Sequence, residues 1–192
     1  MVNRCTADPS ITAAVFVPDY ELSTEKARQA LPRELPYKDA VYNVSRVGLL
    51  PAAMNPVVLA QAAQQGKSGV AAAPAQDADT CACSGGTRES AFADELAAAQ
   101  AQSNALLFTA TQDKLHQPYR GALMPPSTEL IALFRSKGYA AAVSGAGPCV
   151  LVLHYGNARE AIDQIASEQL ASGHWRVLHL PINTAGVEIE RR

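Results

Sequence analysis

His116-Gln117-Pro118-Tyr119-Arg120 crowds an imidazole, a phenol and a guanidinium onto a turn around one proline. A guanidinium binds carboxylate or phosphate in a two-pronged fashion, so the cluster points to an anion site. The alternative is a polar helix end with Arg120 in solvent. A second cluster is Ser23-Thr24-Glu25-Lys26-Ala27-Arg28. Thr24 and Arg28 are four apart and share a helical face. The third is Ser144-Gly145-Ala146-Gly147-Pro148, set between two apolar runs. Its glycines permit positive φ and close backbone approach, and the N–H groups of such a turn can form an anion-binding nest. An ordinary hairpin turn is the alternative here.

Two other matches carry no chemistry. Gly66-Lys67-Ser68 resembles the end of a phosphate loop, but position 61 is Gln where that motif needs Gly, and no strand precedes it. Cys81-Ala82-Cys83 has no second pair at zinc-site spacing.

The elements that must position these clusters come from periodicity and punctuation. Ile11 to Val17 is a predicted strand ended by Pro18-Asp19. Ser23 or Thr24 starts a helix that Pro32 and Pro36 break. A second helix is expected from Lys38 to about Met54, with Val41, Val44, Val47 and Leu50 as its apolar stripe and a kink at Pro51. Asn43 and Arg46 lie off that stripe, facing either a cleft or solvent. Residues 61–90, rich in Ala, Gln, Gly, Ser and Asp, read as a disordered insertion. A helix from Phe92 to about Leu115, with a break near Ser103-Asn104, leads to the His-Tyr-Arg turn. Ser127 is expected to cap a helix ending at Gly138. The hairpin 138–153 follows. Asn157 to Glu160 has capping-box spacing, and Trp175 to Leu180 reads as a strand. Val187 to Ile189 reads as a short final strand or tail. The order strand, helices, strand, strand, helix, strand suits an α+β architecture: an antiparallel sheet of about four strands with helices packed on one face.

The whole-chain numbers exclude several classes. The 192 residues suffice for one domain with a real core. A net charge of −2 offers no basic surface for nucleic acid or an anionic membrane. No apolar run approaches the ~20 residues of a membrane span. The four cysteines show no disulfide framework, so a reducing, cytoplasmic setting is expected.

Three pieces together carry a resemblance: Ser23 to Arg28 followed by Leu31-Pro32, then His116 to Arg120, then Ser144 to Pro148. In this order they look like the C-terminal half of homoserine kinase, of the GHMP small-molecule kinases. Leu180 to Gly186 is similar to the family's end. The resemblance covers residues 1–60 and 91–192, leaving the insertion outside, and implies a ferredoxin-like domain. It implies ATP-dependent phosphorylation of the L-homoserine side-chain hydroxyl, in threonine biosynthesis. By the same resemblance, Arg28 and Arg120 hold the carboxylate, Thr24 and His116 line that pocket, and Ser144, Gly145, Ala146 and Gly147 sit beside a phosphate loop. Phosphoryl transfer asks mainly for positioning and charge stabilisation, so no catalytic base is assigned.

The complete enzyme would use ATP and Mg2+. The family's Pro-x-x-x-Gly-Leu-Gly-Ser-Ser phosphate loop belongs to its N-terminal half and has no counterpart in this sequence. The expected partners are therefore L-homoserine and the missing N-terminal half, with a homodimer by analogy. Activity alone is not expected. Two other readings stay open: a non-catalytic amino-acid-binding module, and a GHMP kinase for a different small substrate.

Overall fold

The computed structural model describes residues 7–55, 88–183 and 189. Strand β1 (Ile11–Pro18) is followed by helices α1 (Thr24–Gln29), α2 (Tyr37–Val47) and α3 (Leu50–Ala53). Helix α4 (Arg88–Ala110) leads to α5 (Gln117–Arg120), a single 3-10 turn (Gly121–Leu123) and α6 (Pro125–Ser136). Then come β2 (Ala140–Val143), β3 (Val150–Tyr155), α7 (Arg159–Ile165), α8 (Ser167–Ala171) and β4 (Trp175–Leu180). The strands form one antiparallel sheet in the order β2-β3-β1-β4, with Ala14 opposite both Val152 and His179. This is the α+β sheet expected from the order of elements, with the ferredoxin-like strand arrangement.

Strand alternation divides the sheet residues between two cores. Ala14, Phe16, Ala141, Val150 and Val152 face α6, α7 and α8, where Leu130, Phe134 and Ile162 are buried. The Phe16 and Phe134 rings lie 5.2 Å apart at this core's centre. Ile11, Ala140, Leu153 and Tyr155 point the other way and meet Leu106 and Leu107 of α4 and Leu50, Ala53 and Met54 around α3. The expected single helical layer is thus supplemented by α3 and α4 on the opposite face.

Local differences from the sequence reading have physical causes. Helix α4 runs unbroken through Ser103-Asn104, because Ser103 is buried and Asn104 Oδ1 accepts the Tyr155 amide at 2.8 Å. It ends at Ala110, five residues earlier than expected, where Asp113 claims the next amides. Its start, Arg88, falls inside the segment read as an insertion. The remainder of that segment, 61–87, lies outside the described residues, as does the Val187–Glu188 part of the expected final strand.

Pro51 lies in the first turn of α3, just after Leu50, rather than kinking a longer helix. Ser127 is not a cap. Helix α6 starts three residues earlier than that cap implies, at the Pro125-Pro126 pair, with Met124 in the cap position. Asn157 does not cap α7 either; Ala158 holds that position without a side-chain bond. Gly138 does close α6. At φ +83° its amide bonds Arg135 O and the Tyr139 amide bonds Phe134 O, the two bonds of a Schellman motif.

Candidate functional site

Helix α5 is only one turn long, and its position depends on a carboxylate outside it. Asp113 accepts the amides of Leu115 and His116 at 2.9 Å each, and the Gln117 amide as well. Those amides would otherwise be unpaired at a helix start. Asn43 of α2 completes the anchor. It donates to Asp113 Oδ1 at 2.6 Å and accepts the Lys114 amide at 2.9 Å. Burial raises the Asp113 pKa, but hydrogen bonds from Gln117, Asn43, Leu115 and His116 outweigh it and hold the carboxyl below its ordinary value. His116 Nδ1 lies 3.5 Å from the same carboxylate.

Two further bonds make α5 a hub, and a third ties α2 to the segment just ahead of it. Arg120 Nε donates to Ala27 O at 3.0 Å, fixing α1. Gln117 Oε1 accepts the Val143 amide at 3.2 Å, fixing the end of β2. Arg46 of α2 reaches Gln112 Oε1 at 3.3 Å, with its guanidinium 4.1 Å from the Tyr42 ring centre. The terminal nitrogens of Arg120 have no hydrogen bond among the described residues.

These elements enclose an open cavity of about 340 Å³. Arg46, Arg120 and His116 contribute its cationic or titratable donors, Asn43 and Asp113 its anchored polar wall, and Gly145 its hairpin edge. An uncommitted guanidinium fork beside a second arginine suits a small carboxylate or phosphate. A neighbouring cavity of about 440 Å³ shares Gln112, Asp113 and Gln117 and extends past Tyr42 and Lys114 to Arg135.

Of the residues singled out from the sequence, His116, Arg120 and Gly145 come together in one cavity wall. Thr24 and Arg28 do not. Both are exposed on α1, outside that wall, though α1 is held to α5 through Ala27. Asn43 and Arg46, off the valine stripe, do face the cavity. Asp113 was missed. Its signal was an acidic residue just ahead of a proline-containing helix start, where carboxylates satisfy free amides.

The 144–149 loop is longer than the tight turn expected from two short runs. Val143 pairs with Val150 across it, and the Ser144 amide bonds Cys149 O at 2.8 Å. Its two glycines have different reasons. Gly145, at φ +64°, has open space where a Cβ would sit. Gly147, at φ +87°, is pressed against the buried Met124, whose Sδ would lie 2.6 Å from an added Cβ. Ser127 holds the loop's far side. Its buried hydroxyl donates to Pro148 O, so the Tyr20 hydroxyl 2.7 Å away donates to Ser127.

Gly147→Ala is therefore expected to cost about 2 kcal/mol in stability through backbone strain and overpacking. Urea unfolding checks this; Gly145→Ala, strained but unobstructed, should cost less.

Three comparisons bear on the site's relatives. Residues 90–171 match the family model described as GHMP kinases C terminal. The homoserine kinase of Corynebacterium aurimucosum is 33% identical over 183 residues, covering 95% of this chain and 43% of its own length. That of Leifsonia xyli subsp. xyli is 33% identical, covering 94% and 42%. The crystal structure of homoserine kinase from Cytophaga hutchinsonii superposes with a TM-score of 0.63 at 18% identity, over 96% of this chain and 45% of that one. This last match concerns the fold alone. The chain spans less than half the length of the curated relatives it matches. Residues 90–171 are thus similar to the C-terminal domain of GHMP kinases, within a chain that matches homoserine kinases along nearly all of its own length and under half of theirs.

Proposed function

We propose that this chain is the amino-acid-binding part of an ATP-dependent homoserine kinase, active when joined to the portion its relatives carry in addition. The carrying observation is the cavity that gathers Arg46, His116, Arg120 and Gly145, in a chain similar to homoserine kinases over 95% of its length. Arg120 takes the L-homoserine carboxylate, with His116 beside it. Arg28 and Thr24, exposed on the tethered α1, complete the pocket only when a ligand or a second body draws that edge inward. Ser144, Gly145, Ala146 and Gly147 lie beside the phosphate loop of the other portion, with Gly145 the position of close approach. A reducing cytoplasm suits the cysteine usage, and among the described residues no helix is long and apolar enough to cross a membrane. Association into a homodimer is part of the same reading.

ATP and Mg2+ belong to the complete enzyme. The residues described here do not fit them by themselves. They contain no group of three His, Cys, Asp or Glu side chains that could hold a metal ion, and Gly147 is filled by Met124 rather than open to a phosphate. The nucleotide's phosphate loop and metal contacts are accordingly assigned to the other portion, and this chain's contribution is to bind and orient the amino acid.

The test is ATP-dependent phosphorylation of L-homoserine by the chain alone and by a chimera carrying the unmatched portion of the Corynebacterium aurimucosum enzyme ahead of it. Turnover in the chimera and none in the chain is the expected result. A folded chimera that binds L-homoserine but transfers no phosphate would overturn the kinase reading in favour of an amino-acid-binding module.

A further inference from the structure

Helix α2 is amphipathic in the wrong sense for a surface helix. Such helices bury their apolar stripe and show solvent their polar face. Here Tyr42, Asn43 and Arg46 turn inward to Gln112 and Asp113. The valine stripe points out: Val41 is 49%, Val44 74% and Val47 62% exposed, and Tyr37 at the helix start is 85% exposed. Leu35, just before the helix, is also exposed. No residue of α2 is buried. The sequence reading took these valines as the apolar stripe of the helix. Asn43 and Arg46 are claimed by the Asp113–Gln112 anchor, which rotates the stripe away from the sheet.

We infer that this valine face is the docking surface for the portion of polypeptide that homoserine kinases carry beyond the part matched here. The inference rests on the proposed function. Three observations select that occupant. First, the chain accounts for 43% of the Corynebacterium aurimucosum relative, so more than half of the complete protein has to pack somewhere. Second, the stripe runs into the site. Val47 belongs both to the exposed face and to the wall of the cavity, and exposed Thr24 and Arg28 precede it on the same connection. A body that closes the cavity also covers the stripe. Third, the stripe is small. An 11-residue helix offers a strip about 16 Å long and about 10 Å wide. That is far below the roughly 800 Å² per partner of a stable separate complex, so a second copy held by α2 alone is disfavoured. As one part of a domain interface within a chain, of roughly 600–1,500 Å², it suffices.

Val44→Cys, in the chain alone and in the chimera, tests the surface. Alkylation is followed by mass spectrometry on the peptide containing residue 44, which separates it from the native cysteines. Circular dichroism verifies folding, and Val41→Cys repeats the measurement at a second point. Alkylation at least 10-fold slower in the chimera, at every protein concentration, is expected. Equal rates in a chimera that phosphorylates L-homoserine would overturn the surface and leave the function standing. Protection in a folded but inactive chimera would support the surface and refute the function. Protection in the chain alone that grows with concentration would assign the face to a second copy. A chimera whose two portions melt independently would also count against the proposal.

Discussion

Arg120→Ala should raise the L-homoserine KM of the chimera about 10- to 100-fold, the range expected from losing a charge-assisted pair to a carboxylate. The effect should fall mainly on KM, because the carboxylate is remote from the hydroxyl that is phosphorylated and is bound alike in ground and transition states. A purely structural role predicts something else. Among the described residues the Arg120 side chain makes one hydrogen bond, from Nε to Ala27 O, and its loss should cost only about 1 kcal/mol of stability. A KM rise with a nearly unchanged melting temperature therefore separates ligand binding from scaffold repair. Arg120→Lys should recover only part of the loss, since an ammonium cannot reproduce the planar fork.

Asp113→Ala should be the most damaging change in the site's scaffold, by about 2–4 kcal/mol. It strands three backbone amides and the Asn43 amide in a partly buried place, each costing a fraction of a full desolvation penalty. Chemical denaturation measures the stability loss. Because the same carboxylate sets α5, His116 and Arg120 move with it, and L-homoserine affinity should fall together with stability. Asp113→Asn keeps one acceptor oxygen and should be milder.

The pH dependence follows from sign. The folded carboxyl titrates below its unfolded value, near 3.9. Its contribution is fully present above that value and is lost as pH falls through the folded pKa. Wild-type protein should therefore lose stability more steeply below about pH 4 than Asp113→Asn does. Parallel acid profiles for the two would contradict the anchor.

The parts of the fold legible in the sequence were those set by short-range rules. β1 and β4 were visible from β-branched and aromatic runs, the Gly138 helix stop from a glycine at the end of an apolar helical pattern, and the hairpin from two apolar runs around a small-residue loop. The parts missed were set by tertiary partners. Val41, Val44 and Val47 keep helical spacing, but spacing does not say which side of a helix faces the sheet. That was decided by Asn43, Tyr42 and Arg46 pairing with residues about 70 positions away. Ser127 looked like a cap because hydroxyls often are, yet it is buried between Tyr20 and Pro148. In the site, His116 and Arg120 were readable because their types and crowding are unusual on one turn. Arg28 was readable as a charged residue, but its exposure on α1 depends on how α1 packs. Asp113 escaped because its role lies in the backbone amides that follow it.

The central claim is that the cavity around α5 binds an amino acid through its carboxylate. The most direct measurement is kcat/KM for L-homoserine and for its decarboxylated analogue, aminopropanol, in the chimera with Arg120 and with Arg120→Ala. A preference for L-homoserine of at least about 10-fold that collapses in Arg120→Ala is the predicted result. A preference that survives Arg120→Ala unchanged would show that the carboxylate is held elsewhere and would contradict the account.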